Sequence, residues 1–587
     1  MAQRVFRGTP VSAGMAHGPA LVVRWEVPSV AERPILASEV ESEVARLHKA
    51  LAYARERITV VRARAAEHAG PEEARIFDAQ LGILEDPDLV GGSERLIRDN
   101  HFSAERAFEL KILEWRGLWS TQGSALLRDR LIDLTDVEIR VLTHLLGQDE
   151  PEVLADHGGP VILVARDLTP SLTVQLDRDA VLAIATEQGT KTSHAAILAH
   201  AIGIPAVVGM PGALEQVRSG DAVLLDGWIG TLTLEPTDAE VASARARDAR
   251  QKRLEQDLVA GVGEPAVTTD GARLTLRANV DLPEEVDGAV RGGAEGVGLM
   301  RTEFLVVGRS HMPDEDEQVT LYTRVGRAFG GQPVVIRTYD LGGDKFPAGF
   351  RAQSESNPFL GWRAIRVCLD RPEIFRPQVR AILRAAAVTP LKLMIPLVTR
   401  VGEVEAVRRI ATEEAQVLAR AGIPCAASVP IGVMVETPAA VLIADRLAAV
   451  SDFFSVGTND LVQYMLAVDR GNARLADRFT PLHPAVLRAL DQVARAGAAA
   501  GIEVSVCGGM ASDPIGVFVL VGLGYRVLSV AAPSLPLIRA LVRSLDSAHA
   551  SATARRLLEV ASSDDAATIA REEVLRKVDR QLLDAGA

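Results

Sequence analysis

The stretch Gly189-Thr190-Lys191-Thr192-Ser193-His194-Ala195-Ala196-Ile197-Leu198-Ala199 follows an apolar run, Ala180 to Ala185, and is closed by Gly203-Ile204-Pro205. The run reads as a strand, the polar segment as a turn and the alanine-rich segment as a helix, so a histidine stands in the first turn of that helix. Thr192 or Ser193 can cap it, because a hydroxyl accepts a hydrogen bond from an orphan N–H. A helix N-terminus favours an anion, and Lys191 adds positive charge. A neutral imidazole there is a nucleophile beside a phosphate cradle. The plainer alternative is a histidine that caps or packs, and a motif this short favours that alternative when taken alone.

Further short apolar strands flank this stretch: Val161 to Val164, Ala206 to Val208, Ala222 to Leu225 and Thr231 to Leu234. They read as a small β/α domain. At the N-terminus, Val5-Phe6, Pro10-Val11 and Ala20 to Val23 are β-like pieces cut by Gly8, Gly14 and Gly18. They are too short to fold alone and are expected to complete the β/α domain, which then comprises 1–37 and 148–236. The block between, 38–147, reads as an inserted helical subdomain. Ser38 with Glu41 is a capping-box start, and Val40, Val44, Leu47, Leu51 and Ile58 recur at helical spacing. A second helix is expected near Pro71, with others over Ala104 to Ser120 and Leu126 to Leu146. From Glu67 to Glu94 there are eight acidic residues and one basic residue, Arg75. Such a run is either a solvated face or a docking surface for a basic partner.

Residues 237–261 are charged and alanine-rich and read as a connecting helix, long enough to span roughly 35 Å. From Ala272 the pattern changes to eight apolar strands separated by helical stretches: Leu274 to Asp281, Gly296 to Met300, Pro333 to Asp340, Leu391 to Val398, Ile431 to Thr437, Phe453 to Asp460, Glu503 to Met510 and Arg526 to Ala532. Eight units at this spacing favour a closed (β/α)8 TIM barrel over an open doubly wound sheet. The barrel domain is taken as 262–587, with a helical tail after Ser544. The expected fold is thus α/β and multidomain.

In such barrels the site forms at the C-terminal ends of the strands. Those ends carry Asn279, Arg301, Arg337, Asp340, Glu436, Asn459, Asp460 and Cys507, with Arg363 and Arg470 in loops on the same side. Four arginines on one rim suit a substrate with several negative charges, since guanidinium forks match phosphate and carboxylate. Glu436 and Asp460 could hold Mg²⁺, which takes a few protein oxygens and leaves the rest to substrate and water. Singly, each residue could be structural; jointly, so many polar groups at successive strand ends are costly as core.

The whole chain has 587 residues and a net charge of −13. That charge argues against a general nucleic-acid binder. No signal peptide or membrane span is expected, and three scattered cysteines, Cys368, Cys425 and Cys507, fit a reducing, cytoplasmic setting.

These residues together resemble the Enzyme I family of the bacterial phosphotransferase system, the phosphoenolpyruvate–protein phosphotransferases. The resemblance runs nearly end to end and is carried by Gly296 to Leu305, Arg337 to Lys345, Asn357 to Arg366, Val435 to Ala440, Gly457 to Leu461, Ala467 to Asn472 and Cys507-Gly508. It implies that His194 takes a phosphoryl group from phosphoenolpyruvate on Nε2 and passes it to a histidine of the small carrier HPr. It implies that Arg301, Arg337, Arg363, Asn459, Asp460 and Arg470 hold the substrate, that Glu436 and Asp460 ligate Mg²⁺, and that Cys507 protonates the enolate to give pyruvate. The small β/α domain becomes the swivelling phosphohistidine domain, the helical insert the HPr-docking subdomain, and the barrel the site of homodimerisation.

Three positions depart from the family pattern. Thr190 replaces the second of two glycines before the histidine run, Thr135 stands where arginine is common, and Gly509 stands where glutamate usually follows Cys507-Gly508. They leave room for an alternative, a phosphoenolpyruvate-sensing protein that phosphorylates itself and signals by docking. Pyruvate phosphate dikinase and phosphoenolpyruvate synthase share the histidine domain and barrel, but they also need an ATP-binding domain of some hundreds of residues, and the helical block contains no Gly-rich nucleotide loop.

Overall fold

The structure is a computed structural model that describes residues 4–68, 76–121, 125–148, 159–168, 180–189, 195–196, 199, 203–307, 309, 311–342, 355, 357–470 and 472–584. It falls into two compact units, Met1–Arg253 and Leu254–Ala587.

The first unit contains an eight-stranded sheet. Its strands are β1 Val5–Arg7, β2 Thr9–Ser12, β3 Met15–Val23, β4 Val161–Ala165, β5 Val181–Thr186, β6 Ala206–Val208, β7 Ala222–Asp226 and β8 Thr231–Leu234, ordered β1-β8-β7-β3-β4-β5-β6-β2. The middle of the sheet, β3 to β6, is parallel, while β1, β2, β7 and β8 pair antiparallel with their neighbours. Both faces of β4 and β5 are covered: Leu163 and Ile184 pack on one side, Ile162, Val164, Ala183 and Ala185 on the other. That double burial is why β4 and β5 read as unbroken apolar runs rather than alternating ones.

Among the described residues five α-helices lie between β3 and β4: Val40–His68, Ile76–Leu84, Pro87–Asn100, Ala104–Thr121 and Ala125–Leu145. Leu47, Ala50, Ile58, Phe77, Leu89, Ile97, Phe108, Ile112 and Val141 form their core. The start of the first helix differs from expectation. The capping contact is two residues earlier, with Leu36 N donating to Glu39 Oε2 at 2.8 Å, and Glu41 is instead paired with Arg98. The helix Pro87–Asn100 is absent from the sequence reading because Gly91 and Gly92 interrupt its pattern. Gly92 is there because a neighbouring helix passes close: a Cβ would sit 2.7 Å from Lys111 Cε. Asp86 caps this helix, its Oδ1 accepting from Asp88 N at 2.8 Å, and Pro87 fills the first turn. The helix start expected near Pro71 lies outside the described residues. Trp25 links sheet to helices: its Nε1 donates to Asp136 Oδ1 at 2.9 Å, and the Arg140 guanidinium lies 5.1 Å over its ring.

A helix, Asp238–Ala260, follows β8, capped reciprocally by Thr237 and Glu240. The second unit is a closed parallel barrel of β9 Thr275–Val280, β10 Val297–Met300, β11 Val334–Arg337, β12 Leu391–Ile395, β13 Ile431–Val435, β14 Phe453–Val456, β15 Glu503–Val506 and β16 Val527–Ala531. Closure is made by β16 pairing with β9 from Val527↔Thr275 to Ala531↔Asn279, which excludes the open sheet. The strands end earlier than the apolar runs suggest. Asp340 and Glu436 lie just past their strands, and Asn459 and Asp460 stand in the first turn of the helix Thr458–Leu466.

The barrel interior is layered. At its floor Arg277 meets Glu503 through two bonds of 2.7 and 2.9 Å, and Lys392 reaches the same carboxylate at 3.2 Å. Above them Leu299, Val335, Met394, Met434, Phe453 and Cys507 form a buried layer. Phe453 fits because Gly432 faces it; a Cβ there would lie 2.4 Å from the ring. Three tail helices, Ser547–Leu557, Ser563–Leu575 and Arg580–Asp584, pack on the outer helix Pro514–Gly522. Among the described residues no helix is long and apolar enough to cross a membrane.

Candidate active site

Above the apolar layer the strand ends enclose a cavity of about 300 Å³ whose walls include Arg301, Arg337, Arg363, Arg470, Glu303, Asp340, Glu436, Asn459, Asp460 and Cys507. Every barrel residue expected to bind substrate or metal, and Cys507, therefore faces one space. His194, Thr190 and the rest of their turn lie outside the described residues.

Each charged side chain is placed by a short piece of backbone at a strand end. Arg301 follows β10, its N bonded to Val280 O at 3.0 Å, and its guanidinium pairs with Asp281. Arg337 is the last residue of β11 and lies 2.8 Å from Glu303 and 3.4 Å from Asp340. Glu303 Oε1 also accepts from Asp340 N at 2.8 Å, so one carboxylate orders both the arginine and the turn after it. Arg363 embraces Asp340 and stands 3.8 Å from Asp460, while Arg470 reaches Asp460 at 3.3 Å. Tyr464 OH accepts from Arg363 Nη1 at 3.2 Å and donates to Phe359 O at 2.6 Å.

Three non-glycine residues adopt left-handed backbone beside this cavity: Ala364 at φ 54°, Leu397 at φ 56° and Ala467 at φ 53°. Strain of this kind persists where surrounding contacts over-determine it, and functional sites concentrate it. Ala364 turns the chain after Arg363. Leu397 presents its N–H to Glu436 Oε1 at 2.7 Å. Ala467 ends the helix that carries Asn459 and Asp460 and starts the loop to Arg470.

Four arginines and four carboxylates line the cavity, but they do not cancel locally. Asp340 offsets the burial of Arg363 and holds its charge more firmly than usual; Arg337 gains similarly from Glu303 and Asp340. Among the described residues no cation stands within ion-pair distance of Glu436. Burial pushes its pKa up, and the nearby charges of Asp460 and Asp340 push it further, with Arg337 and the Leu397 N–H only partly opposing them. Two buried carboxylates that repel one another over a shared cavity are a place for a cation. Among the described residues no group of three or more His, Cys, Asp or Glu side chains is arranged to hold a metal unaided. Two carboxylate oxygens supplemented by substrate and water is the donor set that Mg²⁺ takes in phosphate sites, so Glu436 and Asp460 fit it.

Cys507 follows β15 at the cavity base. Burial pushes its thiol up to about 11, and its Sγ lies 3.6 Å from Val456 O. The group is a neutral S–H at physiological pH. Asn279 does not face this cavity; its Nδ2 donates to Cys507 O at 3.2 Å, and it lines an adjoining cavity with Asp281 and Gly509. Asn459 Oδ1 accepts from Gly509 N at 2.9 Å, which identifies its Nδ2 as the donor available for an anion.

Glu303 and Tyr464 were missed in the sequence reading as site residues. Glu303 had one signal, its position two residues after Arg301 at a strand end; Tyr464, on a helix, had none. At Thr135 the structure supplies a guanidinium from elsewhere: Arg116 of the helix Ala104–Thr121 donates to Thr135 Oγ1 at 3.2 Å and pairs with Glu138. The acidic run is only partly a bare charged face. Asp78 meets Arg62 at 2.7 Å, Glu85 meets Arg55 at 2.9 Å, Asp88 meets Lys111 at 2.9 Å, and Asp86 is a helix cap.

A (β/α)8 barrel whose mouth gathers guanidinium groups, paired carboxylates and a protonated thiol defines an enzyme for a small polyanion. Comparison with known proteins identifies the anion's class. Residues 256–547 match the family model of the PEP-utilising enzyme, PEP-binding domain; residues 7–130 match the PEP-utilising enzyme, N-terminal; and residues 158–230 match the PEP-utilising enzyme, mobile domain. The phosphoenolpyruvate-protein phosphotransferase of Geobacillus stearothermophilus is 38% identical over 565 residues, covering 96% of this chain and 97% of that protein. The same enzyme from Bacillus sp. (strain S) is also 38% identical with the same coverage, and that of Priestia megaterium is 37% identical, covering 95% and 97%. The chain belongs to the phosphoenolpyruvate-protein phosphotransferase family.

Proposed function

We propose that the protein transfers the phosphoryl group of phosphoenolpyruvate to its own His194 and from there to a histidine of the carrier HPr, releasing pyruvate, as the first step of sugar uptake by the phosphotransferase system. The observation that carries the barrel half of this reading is the convergence of Arg301, Arg337, Arg363 and Arg470 with a neutral Cys507 thiol on one cavity. The arginines and the Asn459 amide bind and orient the phosphate and carboxylate, and they stabilise charge as it spreads over the transferring group. A His194 ring nitrogen attacks phosphorus, the P–N bond forms, and the bond from phosphorus to the enol oxygen breaks. The electron pair left on the enolate takes the Cys507 proton at carbon, giving pyruvate, and the thiolate recovers its proton from solvent. The HPr imidazole then displaces the phosphoryl group from His194. A Mg²⁺ ion held by Glu436 and Asp460 would supply charge neutralisation at the phosphoryl oxygens.

In this reading 1–37 with 148–236 form the phosphohistidine domain, 38–147 docks HPr, 237–261 is the connecting helix about which the histidine domain swings, and 262–587 binds substrate and forms a homodimer. The protein is expected to act in the cytoplasm. The test is incubation with ³²P-labelled phosphoenolpyruvate and Mg²⁺, with and without HPr. Acid-labile label that forms on the protein, is lost in His194→Ala and moves to HPr supports the reading. Label that stays on the protein despite a cognate HPr supports the sensor alternative, and label in His194→Ala overturns the assignment of that histidine.

A further inference from the structure

We infer that Gln378 is a positioning residue for the substrate arginines: its buried amide ties the turn carrying Arg301 and Glu303 to the turn carrying Arg337 and Asp340. Gln378 projects from the helix Pro372–Ala385, outside the barrel wall, and is fully buried. It lines neither cavity.

Its amide orientation follows from its partners. Tyr339 N, between Arg337 and Asp340, can only donate, so the atom 3.1 Å from it is the Gln378 oxygen. The nitrogen then faces Thr302 Oγ1 at 3.2 Å and Tyr322 OH at 3.4 Å. Both hydroxyls have their protons committed elsewhere: Thr302 Oγ1 donates to Arg337 O at 2.9 Å, and Tyr322 OH donates to Gln318 Oε1 at 3.1 Å. Gln318 in turn donates through Nε2 to Pro313 O at 3.3 Å. Every bond in the chain has one allowed direction, and the amide uses its oxygen and both its N–H groups.

The consequence is local to the site. Thr302 lies between Arg301 and Glu303, and its hydroxyl grips the carbonyl of Arg337; Tyr339 lies between Thr338 and Asp340. Gln378 therefore fixes the spacing of two strand-end turns from behind, while Glu303 fixes it from the front by accepting from Arg337 Nη2 and Asp340 N. A fully satisfied buried network of this kind specifies one arrangement, and losing one member leaves the others unpaired and free to shift. A displacement of a binding group by a fraction of an ångström is felt strongly in substrate handling.

This inference rests on the reading that phosphoenolpyruvate occupies the cavity. It is tested in the full-length protein by following pyruvate formation with HPr in excess across phosphoenolpyruvate concentrations at fixed Mg²⁺, alongside thermal unfolding. The variants are Gln378→Met, Thr302→Val, their double, and Leu418→Ala, a buried leucine of the helix Val401–Arg420 that serves as a control for destabilisation alone. Gln378→Met is expected to raise KM for phosphoenolpyruvate by about tenfold or more with a much smaller change in kcat. Thr302→Val, which breaks the same bridge isosterically, should do likewise and is read alone if Gln378→Met does not fold. The double variant should be no worse than the worse single one, because both remove one bridge. Leu418→Ala should lower Tm without moving KM. An unchanged KM in Gln378→Met and Thr302→Val, or an equal rise in Leu418→Ala, would overturn the positioning role. A wild-type protein that is not phosphorylated by phosphoenolpyruvate would overturn the substrate reading itself and this inference with it.

Discussion

Arg363 holds Asp340 through three contacts, Nε to Oδ1 at 3.0 Å, Nη2 to Oδ1 at 2.8 Å and Nη2 to Oδ2 at 2.7 Å. Both side chains are buried. The carboxylate is thus a built-in counter-ion for Arg363, and under the proposed function the substrate anion and Asp340 would share one guanidinium.

Removing that counter-ion should make the protein dependent on substrate for stability. Asp340→Ala leaves Arg363 buried without its main partner, a change expected to cost about 3–5 kcal/mol. Phosphoenolpyruvate should recover part of the loss, so its stabilising effect should be larger in Asp340→Ala than in wild type. Thermal melts with and without phosphoenolpyruvate check this; equal ligand-induced shifts would mean that the anion does not reach Arg363.

The raised pKa of Cys507 has a defined signature in alkylation. Iodoacetamide reacts with the thiolate, whose fraction grows about tenfold per pH unit below the pKa. With the thiol pushed up to about 11, the modification rate of Cys507 should still be climbing at pH 10, where an ordinary cysteine has levelled off. Peptide-level mass spectrometry distinguishes Cys507 from Cys368 and Cys425. In the same protein, Cys507→Ala should slow pyruvate formation while leaving phosphoenolpyruvate binding nearly unchanged; parallel losses in both would make the thiol a packing residue.

The sequence made much of this arrangement legible, for a physical reason. Barrel strands are buried on both faces and read as short apolar runs, so all eight were placed, and charged residues just past such runs are too costly to be core. What stayed hidden was whatever depends on a partner far along the chain. Glu303 matters because Arg337 and the Asp340 N–H converge on it, which its place two residues after Arg301 does not show, and Gln378 because two turns meet its amide, for which there is no local pattern. The helix Pro87–Asn100 was hidden because Gly91 and Gly92 break its pattern, the second of them making room for Lys111 of a neighbouring helix, and the Ser38 cap was misplaced because Glu39 binds back to the Leu36 N–H while Glu41 is drawn to Arg98, far along the chain.

Asp270 anchors the tail. It accepts from Ser547 N at 2.9 Å, Ser547 Oγ at 2.6 Å, Ala548 N at 3.2 Å and Thr268 Oγ1 at 2.6 Å. These bonds, the Ser547 hydroxyl foremost, hold its pKa well below the usual carboxylate range. A depressed folded pKa stabilises above the unfolded value, near 3.9, and the benefit is lost as pH falls towards the folded value. Asp270→Ala should therefore speed hydrogen exchange in 547–557 at neutral pH, whereas wild type should show the same loosening only in strong acid. An unchanged exchange pattern in Asp270→Ala would mean that the tail is held by its apolar contacts alone.

Carrier docking by the helical block can be tested without disturbing its fold. Glu85 and Arg55 are both exposed, so Glu85→Lys breaks a pair worth little to stability. Asp86→Lys, by contrast, removes a helix cap worth about 1 kcal/mol and confounds docking with folding. Glu85→Lys is expected to weaken HPr binding several-fold in low salt and less so in high salt. Titration calorimetry at two ionic strengths measures it, and an unchanged constant would return Glu85 to an ordinary solvated surface.

The charged floor of the barrel, where Arg277 and Lys392 close on Glu503, makes the interior a blind alley. Both cavities open on the rim, and nothing can be pushed through the axis to the far side. In the proposed reaction phosphoenolpyruvate and pyruvate therefore share the rim for entry and exit, and a high concentration of pyruvate is expected to favour the reverse transfer by occupying the same dead end.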